Sequence, residues 1–304
     1  MLTPPPPGFI SGLFFGGKTE KRGHTLHPYP CLKGGKIKRP TYANPAAYAA
    51  PTTPRMPRTV IIMGASSGLG YGLAARYIAA GCHVGLAARR TEPLHALAQQ
   101  APEGCRVEVA SIDVCQPRQA ADALQQLLSK LGGRLDLYLH CSGIGRMTPT
   151  LSYDDEEPTL LTNVMGWTAC IDWAWHILLQ QRSGQLAAIT SFAANRGLAP
   201  APSYSASKAF QAHYLEALRQ RALALRLPAI TVTDLRPGFV ATPLLAHPER
   251  LFWVLTTEQA VRALHRAIEQ RRQVATVTRR WALFAPLVRW APRRLVAAIL
   301  RRAL

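Results

Sequence analysis

Two residues whose types suit acid–base chemistry stand four positions apart at the start of a predicted helix. Tyr204 and Lys208 are therefore expected to share one face of that helix. A phenol with a pKa near ~10 is a poor acid–base catalyst at neutral pH. A neighbouring ammonium group stabilises the phenolate and lowers that pKa. The pair thus predicts a tyrosine that exchanges a proton with a substrate.

The usage of basic residues singles out Lys208. Residues 56–304 contain 26 arginines but only two lysines, Lys130 and Lys208. A lysine kept where the chain otherwise uses arginine indicates a need for a compact point charge.

Ser191 precedes Tyr204 by thirteen residues and ends a predicted strand. Ligands of open parallel sheets lie at the carboxyl ends of the strands. A hydroxyl group at that place could donate a hydrogen bond to a substrate oxygen.

Strand-like and helix-like segments alternate from residue 59 onward. The predicted strands are Thr59–Met63, His83–Ala88, Arg106–Ser111, Leu135–Cys141, Leu186–Ser191 and Ile230–Leu235. The predicted helices are Leu69–Ala80, Glu92–Gln100, Ala120–Lys130, Asn163–Gln181 and Tyr204–Leu227. This alternation predicts an α/β fold in which helices cover both faces of a parallel sheet. We expect this fold to have three layers, α/β/α, in a single domain over residues 56–278.

A glycine-rich turn joins the first predicted strand to the first predicted helix. It reads Gly64-Ala65-Ser66-Ser67-Gly68-Leu69-Gly70. Glycines let the main chain approach a pyrophosphate closely, and the helix N-terminus offers free N–H groups and a favourable dipole. The turn therefore predicts a dinucleotide site.

The end of the second predicted strand indicates which dinucleotide binds. An NAD site normally places an acidic residue there for the ribose 2′-hydroxyl. This chain has Arg89 and Arg90, with no acidic residue before Glu92. Guanidinium groups pair well with a 2′-phosphate, so the sequence favours NADP(H). The alternative is a solvated pair of arginines at a strand end.

Residues 59–242 resemble the short-chain dehydrogenase/reductase family in these motifs and their order. The resemblance implies a Rossmann-like, doubly wound sheet. It also implies a catalytic set, which consists of Asn163, Ser191, Tyr204 and Lys208. The implied cofactor contacts are Gly64, Ser66, Ser67, Gly68, Leu69 and Gly70 in the turn, Arg89 and Arg90, Asp113 and Val114 at the adenine, Ser142 and Gly143, Tyr204 and Lys208, and Pro237, Gly238, Val240 and Thr242 at the nicotinamide.

The function implied by the resemblance is hydride transfer between NADP(H) and a carbonyl compound or secondary alcohol. Ser191 and Tyr204 would polarise the carbonyl oxygen, and Tyr204 would donate the proton. Lys208 would lower the Tyr204 pKa and hold the nicotinamide ribose. Asn163 would anchor a water that leads to Lys208.

One motif departs from the family pattern. Where the family usually has Asn-Asn-Ala-Gly, this chain has His140-Cys141-Ser142-Gly143. The small residues that let the cofactor approach are kept, whereas the side chains that tie neighbouring strands together are replaced. We therefore expect the change to affect the sheet more than the chemistry, with a structural role for His140.

Two features of the sequence are compatible with other classes of function. A catalytically idle dinucleotide-sensing or scaffold protein could use the same fold, but the intact set of four catalytic residues argues against it. Residues 12–19 match the phosphate-binding pattern G-x-x-x-x-G-K-[ST]. Prolines precede the match and Gly23 and Pro28 follow it, so we interpret it as coincidence.

Net charge is concentrated at the two ends of the chain. The formal charge is +19, of which residues 1–55 hold 8 basic and 1 acidic residue, and residues 262–304 hold 11 and 1. Residues 1–55 also contain 10 prolines and 7 glycines. They are predicted to be a disordered extension, or a spurious one if Met56 is the physiological start. The nearly neutral middle does not indicate a nucleic-acid binder.

Residues 279–304 form a basic, amphipathic tail with seven arginines and no acidic residue. Such a segment could lie on an anionic membrane surface. Alternatively, its apolar face packs on the domain or covers the substrate pocket.

Several broader expectations follow. No apolar run approaches the ~20 residues of a membrane span. The six cysteines have no metal-binding spacing, which predicts reduced thiols, no metal and a cytoplasmic protein. Three apolar segments would line the pocket, namely Ile144–Leu151, Phe192–Pro202 and Leu244–Phe252, and they favour an apolar substrate. The resemblance implies a homodimer or homotetramer.

Overall fold

Parallel strands form one sheet at the centre of the fold. The computed structural model describes residues 58–148, 151–244 and 252–300. The side chains of residues 299 and 300 are not described. Residues 1–55, with the 12–19 match, lie outside the described residues. The strands are β1 (Thr59–Met63), β2 (His83–Ala88), β3 (Val107–Ser111), β4 (Leu137–His140), β5 (Gly184–Ile189), β6 (Ile230–Pro237) and β7 (Val274–Val277).

The strand order is β3-β2-β1-β4-β5-β6-β7, and every neighbouring pair is parallel. The chain runs outward from β1 in one direction and then continues from β4 in the other. This reversal opens a crevice at the carboxyl ends of β1 and β4, where ligands of such sheets bind. The predicted doubly wound, Rossmann-like α/β fold is confirmed.

Helices connect the strands and cover the sheet. They are α1 (Gly68–Ala79), α2 (Glu92–Ala98), α3 (Pro117–Lys130), α4 (Tyr153–Leu160), α5 (Trp167–Gln181), α6 (Pro202–Ala224), α7 (Thr257–Glu269), α8 (Arg279–Trp290) and α9 (Arg293–Leu300). A short 3₁₀ turn covers Phe192–Asn195, and a π-helical turn covers Leu161–Gly166.

The sheet separates two apolar cores. Ile61 and Met63 of β1 face the core beneath α3, α5 and α6, whereas Val60 and Ile62 face the core beneath α1 and α7. All five residues of β1 are buried. A strand covered on both faces reads as a continuous apolar run, which is why the sequence predicted it correctly.

The helix predicted over Asn163–Gln181 begins earlier in the structure. A continuous helical run starts at Tyr153, passes through the π-helical turn and ends at Gln181. Its first turn contains Asp154, Asp155 and Glu156. Acidic residues are favourable at a helix N-terminus, but they carry no apolar periodicity that would have predicted the helix.

His140 occupies the sheet position where the family motif usually has asparagine. Its side chain is fully buried, and Nδ1 lies 3.0 Å from the Tyr138 hydroxyl. Burial, assisted by the charge of Lys208, lowers the pKa of His140 to about 3. The imidazole is therefore neutral in the folded protein, as expected for a structural residue.

This burial makes stability depend on pH. The unfolded state binds a proton at His140 below about pH 6.5 and the folded state only near 3. The free energy of unfolding should therefore fall as pH drops through that window, by up to about 1.4 kcal/mol per pH unit from this group. Urea unfolding between about pH 5 and pH 7 measures the slope. His140→Asn should flatten it, and an unchanged slope in that variant would contradict the assignment.

Candidate active site

The glycine-rich turn lies between β1 and α1, at the reversal of the sheet. Gly64 has φ +86° and Gly68 has φ +57°, values that side chains other than glycine rarely adopt. A Cβ on Gly64 would lie 2.6 Å from the Ser142 nitrogen, and one on Gly70 would overlap the Gly64 carbonyl oxygen. The turn thus packs β1, α1 and the segment after β4 closely together.

The N-terminus of α1 keeps its amide groups available. Ser67, the residue before the helix, makes no side-chain capping hydrogen bond, and the first turn has no acidic residue. Ser66, Ser67, Gly68 and Leu69 are only partly buried. An anionic group placed here would meet free N–H donors and the positive end of the helix dipole.

The loops after β2 and β3 border the same crevice. Arg89 and Arg90 follow β2 directly and are exposed. After β3, the Asp113 carboxylate accepts a hydrogen bond from the Cys115 main-chain N–H at 3.0 Å. Val114 is buried, and a Cβ on Gly166 of the π-helical turn would overlap its carbonyl oxygen.

Asn163 lies within the π-helical turn and is fully buried. Its Oδ1 accepts from the Ile144 N–H at 2.9 Å, and its Nδ2 donates to the Ile144 carbonyl at 2.7 Å. This pair of bonds fixes the segment Ser142–Ile144 that follows β4. A Cβ on Gly143 would lie 3.3 Å from Asn163 Oδ1 and 3.4 Å from Lys208 Nζ, so only a small residue fits there.

Ser191 lies two residues beyond the end of β5 rather than on the strand. Its backbone is extended, and its Oγ accepts a hydrogen bond from the Ala193 N–H at 3.1 Å. The hydroxyl thereby caps the short 3₁₀ turn and keeps its own proton to donate.

Tyr204 and Lys208 lie one turn apart on α6, as the spacing predicted. The Lys208 ammonium lies 5.9 Å from the centroid of the Tyr204 ring. The Tyr204 ring packs against Gly145, where a Cβ would lie 2.9 Å from Cδ2. The structure therefore brings Asn163, Ser191, Tyr204 and Lys208 to the same edge of the sheet.

Burial shifts the pKa values of both groups. It lowers the pKa of Lys208 to about 8, against the opposing influence of Asp234 and Cys141. It raises the pKa of Tyr204, and the nearby Ser191 hydroxyl opposes that rise. The expectation of a lowered Tyr204 pKa is therefore wrong for this structure, because loss of solvation outweighs the neighbouring groups.

The segment after β6 closes the crevice on its other side. The Gly238 N–H donates to the Val277 carbonyl at 3.0 Å, and Val240 pairs with Leu255 in an isolated bridge. A Cβ on Gly68 would lie 3.4 Å from the Thr242 methyl carbon. Pro237–Thr242 thus approaches the glycine-rich turn, as expected for a segment that shares its ligand.

Helix α8 of the basic tail packs on the domain. Trp281 is 2% exposed, and its ring centroid lies 4.5 Å from that of Phe192 and 5.3 Å from that of Phe239. A Cβ on Gly238 would overlap the indole nitrogen. One face of α8 therefore covers the segments that follow β5 and β6.

Arg196 ties the same helix to the segment between Ser191 and Tyr204. Its Nη1 donates to the carbonyls of Val288, Arg289 and Ala291 at 3.1, 3.0 and 2.7 Å. A guanidinium at the carbonyl end of a helix satisfies groups that the helix leaves unpaired.

Sequence reasoning missed two residues of this region. Gln211, three residues after Lys208, is fully buried and bonds to both Lys208 and Asn163. Its spacing on the helix was a usable signal, because residues three apart share a face. Trp281 lies in the tail over residues 279–304, where the sequence indicates an amphipathic segment but not which side chain packs on the domain.

Other kinds of site are not found in the described ranges. They contain no group of three or more His, Cys, Asp or Glu side chains that could hold a metal ion. No helix within those ranges is long and apolar enough to cross a membrane. Of the predicted pocket-lining segments, residues 149–150 and 245–251 lie outside the described residues.

Solved structures share the fold. A short-chain dehydrogenase from Streptomyces avermitilis matches with a TM-score of 0.67 at 21% identity, over 81% of this chain and 97% of the other. A short-chain dehydrogenase from Sphingobium yanoikuyae, in complex with NADPH, matches with a TM-score of 0.65 at 23% identity, over 76% and 93%.

Sequence comparisons find related oxidoreductases. An uncharacterized oxidoreductase of Myxococcus xanthus is 34% identical over 233 residues, which cover 75% of this chain and 90% of the relative. The sorbose reductase of Schizosaccharomyces pombe is 29% identical over 218 residues, 67% of this chain and 82% of the relative. The family model described as short chain dehydrogenase matches residues 58–250. With this match across most of the chain, the protein belongs to the short-chain dehydrogenase/reductase family of oxidoreductases.

Proposed function

We propose that this protein transfers a hydride between NADP(H) and a carbonyl compound or secondary alcohol, with Asn163, Ser191, Tyr204 and Lys208 as its catalytic set. The observation that carries the proposal is the placement of Tyr204 beside the buried Lys208 ammonium, at the sheet edge that also holds Ser191 and the glycine-rich turn.

A dinucleotide fits the residues at this edge. The packed glycine-rich turn leaves no side chain between the main chain and a pyrophosphate, and the uncapped start of α1 offers it donors. When bound, the nicotinamide supplies or accepts the hydride. Pro237 ends β6, and Gly238, Val240 and Thr242 follow it. We expect these four residues to contact that ring.

The protein's own groups would handle the carbonyl oxygen and its proton. Ser191 keeps a hydroxyl proton to donate to the substrate oxygen. A Tyr204 phenol with a raised pKa stays protonated at neutral pH, so it holds the proton that the developing alkoxide would take up. Because the raised pKa also makes the phenol a weaker acid, the phenolate that forms would need stabilisation by a neighbouring charge. Lys208 would hold the ribose and favour the phenolate that remains.

Cofactor choice depends on the loop after β2. Arg89 and Arg90 are exposed there, with no acidic residue before Glu92. Two guanidinium groups would pair with a 2′-phosphate, whereas an acidic residue would repel it. The related fold from Sphingobium yanoikuyae is solved with NADPH.

The alternative is a catalytically idle dinucleotide sensor or scaffold on the same fold. It would need neither the Ser191 hydroxyl nor a buried lysine beside Tyr204. The apolar character of the three predicted pocket segments favours an apolar substrate. The dimer or tetramer and the cytoplasmic location stay predictions.

Replacing the proton donor tests the chemistry. Tyr204→Phe should lower kcat for carbonyl reduction by about 100-fold or more, because a positioned acid contributes about that much. NADPH binding, followed by quenching of tryptophan fluorescence, should stay close to that of the original protein.

A matched control comes from the same helix. Tyr214 also lies on α6, but its hydroxyl donates to Asp172 away from Ser191. Tyr214→Phe should keep its activity. If Tyr204→Phe turns over substrate as fast as this control, the catalytic assignment is lost.

The cofactor preference has its own test. Arg89→Ala with Arg90→Ala should raise KM for NADPH by about 10-fold or more, since each charge-assisted hydrogen bond to phosphate contributes about 1.5–3 kcal/mol. KM for NADH should change little. The exposed Arg262→Ala on α7 serves as the control, and an equal effect on both cofactors would remove the 2′-phosphate assignment.

Membrane contact through the tail stays a prediction, now confined to the outer face of α8. Leu283, Leu287 and Trp290 are 78%, 65% and 80% exposed, and arginines flank them at 279, 280, 289, 293 and 294. Apolar side chains between arginines suit an anionic lipid surface.

Vesicle sedimentation tests that contact. The protein should pellet with phosphatidylglycerol vesicles more than with phosphatidylcholine vesicles, because the arginines need anionic lipid. Leu287→Glu with Trp290→Glu should abolish the difference. Leu223, equally exposed on α6, provides the control Leu223→Glu. If the α8 variant still pellets more with phosphatidylglycerol vesicles than with phosphatidylcholine vesicles, the proposed membrane contact through α8 is wrong.

A further inference from the structure

The Gln211 side chain accepts a hydrogen bond from the Lys208 ammonium. It lies on α6 three residues beyond Lys208, and it is fully buried. Lys208 Nζ donates to Gln211 Oε1 at 3.0 Å and to the Ile189 main-chain carbonyl at 3.2 Å. Both acceptors belong to elements at the carboxyl edge of the sheet.

The other end of the same amide reaches the π-helical turn. Gln211 Nε2 donates to the main-chain carbonyl of Asn163 at 2.8 Å. The side chain of Asn163 is meanwhile bonded to the main chain of Ile144. One amide group therefore links the lysine on α6 to the residue that fixes the loop after β4.

We infer that Gln211 is a positioning residue of the proposed reaction, because its side-chain amide bridges Lys208 to Asn163 where the family resemblance implies a bridging water. The inference rests on the proposed function for its catalytic consequence. The bridge itself consists of two hydrogen bonds between buried groups, and a carboxamide has a fixed length and orientation that a water lacks.

The bridge limits what Lys208 can do. An ammonium has three donors, and Ile189 and Gln211 take two of them, which leaves one for a ribose hydroxyl or the phenolate. A carboxamide does not titrate at physiological pH, so it holds the ammonium without exchanging protons as a water can. Lys208 is therefore fixed by its acceptors, and the bridge offers it no titratable proton.

The charge state of Lys208 reports on this bridge. The titratable groups around it are Asp234 of β6, His140 and Cys141 at the end of β4, and Tyr204 on its own helix. Asp234 is paired with Arg236 at 2.6 Å, and His140 is neutral above about pH 3. Substitutions at Gln211 leave all of these groups in place.

Two substitutions at Gln211 should shift the Lys208 pKa in opposite directions. Gln211→Glu places a carboxylate beside the ammonium and should raise the Lys208 pKa from about 8 by roughly 1 unit or more. Gln211→Met keeps the length of the side chain but removes the acceptor, so it should lower that pKa. The alkaline limb of the pH profile of kcat/KM for NADPH-dependent reduction should shift with the Lys208 pKa. At about pH 8.5, kcat/KM of Gln211→Glu should exceed that of Gln211→Met by about 10-fold or more.

A direct titration avoids dependence on activity. The full chain labelled with ¹³Cε-lysine has seven lysines, and Lys208→Arg identifies the signal of Lys208. Its titration by NMR gives the pKa in each variant. Gln185→Met is the matched control, because Gln185 is equally buried and donates two hydrogen bonds, to Thr233 and Ile268, away from Lys208.

The inference is supported if the limb and the NMR pKa move upward in Gln211→Glu and downward in Gln211→Met, with neither moving in the control. It is overturned if the Lys208 pKa is the same in both Gln211 variants as in the original protein. It is also overturned if the Lys208 pKa shifts while the alkaline limb of kcat/KM does not, since the bridge would in that case be merely structural. If the original protein oxidises no NADPH with any carbonyl compound, the proposed function fails, and the NMR titration alone decides whether Gln211 holds Lys208.

Discussion

A buried positive charge is the constraint on which the site depends. Lys208 is 4% exposed, so its ammonium has given up almost all contact with water. An isolated charge in that position would be very costly, and it is tolerated because acceptors surround it. The Ile189 carbonyl, the Gln211 amide and the more distant Asp234 supply that environment. Ile189 ends β5, Gln211 lies on α6 and Asp234 lies within β6, so the geometry of the site follows from holding this one group.

The order of the sheet explains why these elements meet. All strands point the same way, so the loops that follow β1, β4, β5 and β6 emerge at one edge. The reversal between β1 and β4 leaves room there for a ligand. Close packing at Gly64 and Gly143 keeps the room free of side chains, and the short 3₁₀ turn after β5 aims Ser191 at it.

Local patterns in the sequence predicted β1 to β6, the doubly wound fold and the grouping of Tyr204 with Lys208, but they did not predict β7. Apolar runs and helix spacing depend on neighbours in the chain and can be read from it. The Gln211 bridge and the packing of Trp281 depend on contacts across more than 40 residues. The direction of the Tyr204 pKa shift was predicted wrongly, because the sequence shows a neighbouring charge but not the depth of burial.

The capping of α8 by Arg196 has a consequence for how the fold opens. Three carbonyls at the end of the last long helix are satisfied only while the segment between Ser191 and Tyr204 stays in place. Local unfolding of one would expose the unpaired groups of the other, so the two should open as a single cooperative unit. Hydrogen exchange in the amides of α8 would then report on the opening of the loop beside Ser191, far away in the chain.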